Sequence, residues 1–125
     1  MMDVKNKELV IVRGINANWF NKNYSNFYIA FGGNPQAVPK NDAYYVGLYL
    51  NAPISAITHL GIVENIHRFD GNAEFYLKAI IKLKKAIKPK HAIRKHENWS
   101  LEKLGIDASQ IEKLVKQLDT VFLER

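Results

Sequence analysis

The chain has no cysteine among its 125 residues. That one absence excludes a disulfide framework, thiolate catalysis and a cysteine-ligated zinc, and it fits a reducing compartment. Long apolar stretches are missing as well. Runs such as Leu9 to Val12 are four residues long, and Met1-Met2-Asp3-Val4-Lys5 lacks the apolar core of a signal peptide. A soluble, cytoplasmic protein with no membrane partner is expected. Glycine and proline are sparse and mark turns, and no repeat, linker or low-complexity tract divides the sequence. With 47% hydrophobic residues, this length buries one core and is too short for two, so residues 1–125 read as a single domain. Gly32-Gly33 lacks the lysine and helix that follow in a P-loop, which argues against nucleotide hydrolysis.

A further absence is local. Between Phe75 and His96 there is no acidic residue, while Lys78, Lys82, Lys84, Lys85, Lys88, Lys90, Arg94 and Lys95 all fall there. The segment carries +8 in a chain whose net charge is +6, so the remainder stands at −2. Charge kept for solubility would be spread out; gathered charge makes a field that attracts phosphates and weakens with salt. Nucleic acid is the first partner this suggests. The plainer alternative is a strand edge that lysines guard against pairing with other chains. A lipid surface ranks lower, because no basic amphipathic helix with a broad apolar face accompanies the charge.

The order of elements follows from local patterning. Leu9 to Val12 reads as a strand ending at Arg13-Gly14, after which Asn16, Asn18, Asn21 and Asn23 surround Trp19 and Phe20 in a loop or short helix. Asn26 to Phe31 reads as a strand broken at Gly32-Gly33-Asn34-Pro35, and Tyr44 to Leu50 as another. Ile57 to His67 is apolar on both faces, with Ile57 and Val63 on one side and Leu60, Ile62 and Ile66 on the other. From Phe75 to Lys84, Leu77, Ala79, Ile81 and Leu83 alternate with Lys78, Ile80, Lys82 and Lys84, the period of a half-buried strand; helical spacing of Lys78, Lys82 and Lys85 is the competing reading. Ser100 to Leu104 predicts one helical turn ending at Gly105, and Ser109-Gln-Ile-Glu112 has capping-box spacing ahead of Ile111, Leu114, Val115 and Leu118. Thr120 to Leu123 closes the chain as a strand. The expected class is α+β: a small β-barrel of five to six strands with two to three short peripheral helices.

Tyr44-Tyr-Val-Gly-Leu-Tyr-Leu50, Ala52-Pro-Ile-Ser-Ala-Ile-Thr-His-Leu-Gly-Ile-Val63 and Leu83-Lys-Lys-Ala-Ile-Lys-Pro89, with the short helices after them, resemble the PUA-like superfamily, with its EVE, ASCH and YTH branches. The resemblance spans roughly residues 9 to 125. It implies a compact β-barrel that recognises RNA or DNA, in the EVE and YTH branches often a modified base in an aromatic pocket. RNA is slightly preferred over DNA, and an effector protein or domain is a further partner that this reading would accommodate.

Base recognition also has a reading from the residues themselves. It needs a flat apolar face, fixed donors or acceptors, and cations for phosphates. Trp19 and Phe20 supply a face, Asn16 and Asn18 paired amides, and Arg13 a phosphate contact, while Trp99 beyond the basic segment would complete a two-tryptophan cage. Lys82, Lys84, Lys85, Lys88, Lys90, Arg94 and Lys95 would carry the backbone. Against this, tryptophans in small domains are commonly packing residues, strand tyrosines follow from β-propensity, and loop asparagines often bond their own backbone. The alternative function is an ASCH-like processing enzyme, with His91 and His96 as base and acid of metal-independent RNA cleavage. Thr58 and Glu64 share a face that His59 does not, so they form no triad, and an amidohydrolase-type Lys, Thr, Glu set would need a lysine such as Lys22. A third class is a basic protein-interaction module. No metal or other cofactor is expected: His91 and His96 are five apart, off a common helical face, in cationic surroundings.

Overall fold

The computed structural model describes residues 7–23, 28–32 and 37–113. Six strands form one sheet: β1 (Leu9–Ile15), β2 (Tyr28–Phe31), β3 (Tyr45–Leu50), β4 (Ala56–Phe69), β5 (Asn72–Ile87) and β6 (His96–Ser100), with helix α1 (Ala17–Asn23) after β1. Their order is β2-β5-β4-β3-β1-β6. β1 and β3 run parallel, and every other pairing is antiparallel. The parallel pair needs a crossover, which α1 and β2 provide. A further helical segment occupies 108–113.

The sheet curls into a half-barrel because its longest strands cannot stay flat. The β4/β5 ladder shifts register between Ile57 and His59, between Ile62 and Val63, and between Val63 and Asn65, and β3/β4 shifts between Leu48 and Tyr49. Each extra residue bends its strand and adds twist. Contacts between elements far apart in the strand order record the curl: Arg13 of β1 donates to the Ala30 carbonyl of β2, and the rings of Phe31 and His96 lie 6.0 Å apart, edge to face. The concave side holds one core, including Ile11, Phe20, Phe31, Leu48, Val63 and Phe75. The convex side holds another, where Val12, Ile57, Leu60, Ile62 and Ala79 are covered by Ile93, Trp99, Leu101, Leu104 and Ile111.

These shifts rearrange the faces expected from simple alternation. Leu77 pairs with Val63 and joins the concave core, whereas Ala79, which pairs with Ile62, joins the convex one together with Ile81 and Leu83. In β4, Ile57, Leu60 and Ile62 share the convex core while Val63 and Ile66 pack into the concave one. A strict period of two places these residues otherwise, because one extra residue exchanges every face beyond it. Gly61 marks the joint: a Cβ there would lie 2.8 Å from Leu77 Cδ1.

Other expectations divide in the same local way. The turn 101–105 forms, and Gly105 takes φ +72° as a helix-ending glycine does. The following helix is capped by Asp107 rather than Ser109, since Asp107 Oδ1 accepts from Ser109 N–H at 2.8 Å and the helical residues begin at 108. β6 is a strand that its polar sequence did not predict; it forms because β1 offers an antiparallel partner along Leu9–Arg13. The expected strand Thr120 to Leu123 and the helical positions Leu114, Val115 and Leu118 lie outside the described residues. Strands therefore dominate the architecture more than the expected α+β balance.

Candidate nucleic-acid interface

The acid-free segment becomes the second half of β5 and its connection to β6. Lys78, Lys82, Lys84, Lys85, Lys88, Lys90, Arg94 and Lys95 are all exposed. β5 pairs with β4 along most of its length but with β2 only over Ala73–Tyr76. From Leu77 onward its other edge has no strand beside it among the described residues. Beyond the irregularity at Lys78, Lys82 and Lys84 alternate with Ile81 and Leu83, whose side chains pack on the convex core, so these two lysines point to the concave side. On the convex side, Lys85 and Lys113 flank a cavity of about 510 Å³ whose lining includes Leu83, Ile87, Leu104 and Ile106. The Arg68–Asp42 ion pair and the His67–Glu74 and His91–Glu97 contacts draw on none of these β5 lysines.

Helix α1 stands beside this strand. Its Phe20 is buried, with its ring 4.7 Å from that of His59, and His59 is the register partner of Lys82. Burial, and then the charge of Lys82, push the His59 imidazole below its usual pKa. Thr58 Oγ1 lies 2.7 Å from His59 Nδ1. Trp19, next to Phe20, keeps 41% of its surface exposed, and Asn18 is exposed on the same helix. Asn16 Oδ1 accepts from Trp19 N–H at 3.0 Å, so its amide oxygen caps the helix instead of facing outward.

Two expected ligand groups are turned to other tasks. The Arg13 guanidinium donates to the carbonyls of Ala30 and Gly14 and sits 5.3 Å from the centre of the Phe31 ring, clasping β1 to β2. Trp99, 8% exposed, packs into the convex core with Lys103 Nζ 4.1 Å over its ring and its indole N–H on Glu97 Oε1 at 3.1 Å. Trp19 belongs to the helix that packs on the concave side, so the sheet separates the two tryptophans and they form no cage.

The two histidines of the catalytic alternative are also kept apart. His91 Nε2 lies 2.5 Å from Glu97 Oε2 on the side of β6 that carries Trp99, whereas His96 contacts Phe31 on the opposite side. Burial works to raise the Glu97 carboxyl, but the Trp99 indole, His91 and Lys103 together hold it below its usual pKa. For His96, burial is the larger influence and pushes the ring down, with Arg13 and Lys95 adding to it against a hydrogen bond to the Ala37 backbone. Its Nδ1 is buried without a hydrogen-bond partner. Among the described residues no cluster of three or more histidine, aspartate or glutamate side chains could hold a metal ion.

Sequence reasoning passed over a group of rings on the outer side of the β2, β5 and β4 ends. Tyr28 and Tyr76 are cross-strand partners whose rings stack with centroids 5.9 Å apart, and each is more than a third exposed. On β4, the rings of His67 and Phe69 lie 4.9 Å apart. Two signals were available: the Asp70-Gly71 dipeptide, whose positive φ values of 42° and 75° turn β4 into β5, and the outward positions of Tyr28 and Tyr76 between inward-facing neighbours. Compared with protein-family models, curated proteins and solved structures, the chain matches none. Among the described residues, no helix is long and apolar enough to cross a membrane.

Proposed function

We propose that this chain binds nucleic acid, RNA in slight preference to DNA, through the second half of β5 and the connection to β6. The observation that carries this reading is the run of exposed cations from Lys78 to Lys95, unrelieved by any acidic residue. Phosphates along a strand would sit against Lys82, Lys84, Lys85, Lys88 and Lys90, with Arg94 and Lys95 at the far end and Trp19 and Asn18 nearby on α1. The PUA-like resemblance of Tyr44–Leu50 and Ala52–Val63, which implies recognition of RNA or DNA, supports the same reading. These segments pair as β3 and β4, with Gly47 opposite Leu60 and Gly61 opposite Val46.

The test is fluorescence-anisotropy titration against single- and double-stranded RNA and DNA at two salt concentrations. Replacing Lys84, Lys85, Lys88 and Lys90 by glutamine should weaken every nucleic acid and make the salt dependence shallower by roughly 2–3 in log–log slope for a single strand. Unchanged binding by that variant would sink the proposal. One observation favours a second reading, a docking module for an acidic partner: the cavity flanked by Lys85 and Lys113 has a mostly apolar lining, with Lys82 and Lys84 also contributing. Tight binding of an acidic amphipathic peptide, with only salt-erased binding of nucleic acid, would select it.

A further inference from the structure

The outer side of the sheet where β2, β5 and β4 end together combines large exposed rings with a neighbouring row of cations. Ile29, Phe31, Ala73, Phe75 and Leu77 point into the concave core, so Tyr28, Glu74 and Tyr76 point outward, with His67 and Phe69 on the adjoining strand. In register, Asn65, Tyr76 and Tyr28 form one row across the three strands, and His67, Glu74 and Ala30 the next. A single cross-strand aromatic pair would be explained by sheet stability alone. Four exposed rings on one side, with Lys78 next along β5, call for a different account.

We propose that this face is a stacking platform for the unpaired bases of a single-stranded nucleic acid, with Tyr28 and Tyr76 as its central pair and His67 and Phe69 extending it. The proposal rests on the nucleic-acid reading above and names its substrate class. A duplex keeps its bases stacked on one another and shows no free ring faces, whereas a single strand offers each base to a flat partner. The platform adjoins the cationic half of β5, so a strand whose bases lie over the tyrosines runs its phosphates onto Lys78 and then Lys85 on the same outer side, while Lys82 and Lys84 reach the strand only across the edge of β5 that no described strand covers. Glu74 accepts the Tyr76 hydroxyl at 2.7 Å and fixes that ring's edge, while its own charge turns phosphates away from the middle of the platform and toward those lysines.

The experiment compares the full chain with Tyr28→Ala/Tyr76→Ala, Tyr76→Phe and Phe69→Ala. Each is titrated with a labelled oligouridylate and with an abasic phosphodiester strand of equal length, and folding is checked by circular dichroism. The double alanine variant should bind the base-bearing strand about tenfold or more weakly, with unchanged affinity for the abasic strand and an unchanged salt slope. Tyr76→Phe, which keeps the ring and loses only its hydrogen bond to Glu74, should bind the base-bearing strand more tightly than the double alanine variant, and Phe69→Ala should lose severalfold on the base-bearing strand alone. Equal losses on both strands, or none on either, would overturn the platform while leaving the cationic surface standing. If the native chain binds neither strand, the nucleic-acid reading falls and the platform with it. If the double variant does not fold, Phe69→Ala, at an exposed position, decides between these outcomes.

Discussion

The two halves of β5 belong to one strand and share almost nothing else. From Asn72 to Tyr76 it lies between β4 and β2, sends Ala73 and Phe75 into the concave core and shows tyrosine and glutamate outside. From Lys78 to Ile87 it has β4 on one edge only among the described residues, turns Ala79, Ile81 and Leu83 toward the opposite core and carries lysines. One extra residue at Lys78 exchanges the faces between the halves. A bulge therefore lets one continuous strand serve two cores and present two chemically distinct surfaces, one aromatic and one cationic.

The largest test of that contrast is stability. Phe75 is fully buried, and Phe75→Ala should cost about 3–5 kcal/mol in urea unfolding, enough to undo much of a small domain's stability. Leu83 is only half-buried, and Leu83→Ala should cost about 1–2 kcal/mol. Equal losses would mean that the halves are anchored alike. Next comes the joint. Gly61→Ala places a methyl group against the buried side chain of Leu77 and should destabilise by about 1–2 kcal/mol, a loss that Leu77→Val in the same chain should partly relieve.

The smallest expected effect is a pH dependence centred beside Lys82. His59 and His96 are both held below their usual pKa, chiefly by burial. Below a pH of about 6.5 the unfolded chain takes up protons that the folded chain refuses, so stability is full above that value and declines as pH falls through the lowered folded pKa values. Urea midpoints measured across this range should show the decline, and Lys82→Gln should lessen it slightly by removing the secondary cause at His59. The Glu97 carboxyl is lowered too, so its contribution is present above its unfolded pKa and is lost only in more acidic solution, which separates it from the histidines.

How far the sequence could be read follows from which forces act locally. β1 to β5 carry alternation or β-favouring runs, and the strands lie where those runs are, give or take a few residues. The bulges left no such trace, because whether Leu77 and Ala79 share a face depends on their partners in β4. β6, with the sequence His96-Glu-Asn-Trp-Ser100, became a strand through pairing alone. The cationic segment was legible as charge and lies on the surface as such a segment should. The roles of Arg13, Asn16 and Trp99 were not legible, since each side chain had a nearer partner: two carbonyls, a helix N–H, and a core closed by Lys103. The tyrosine pair escaped notice because Tyr28 and Tyr76 are far apart in sequence and meet only in the β2/β5 ladder.

The two-residue turn at Asp70-Gly71 also bears on how the chain reaches this shape. β4 and β5 are the longest strands, 14 and 16 residues, and this turn joins them directly, so their ladder forms from neighbours in sequence with little loop to close. β1, by contrast, meets β3 only after the crossover through β2, and β6 only after nearly the whole described chain has been laid down. Contacts between near neighbours form sooner than contacts between distant ones. The hairpin is thus the natural first structure in folding, and β1, which joins β3 to β6 and feeds both cores, is among the last to find its place.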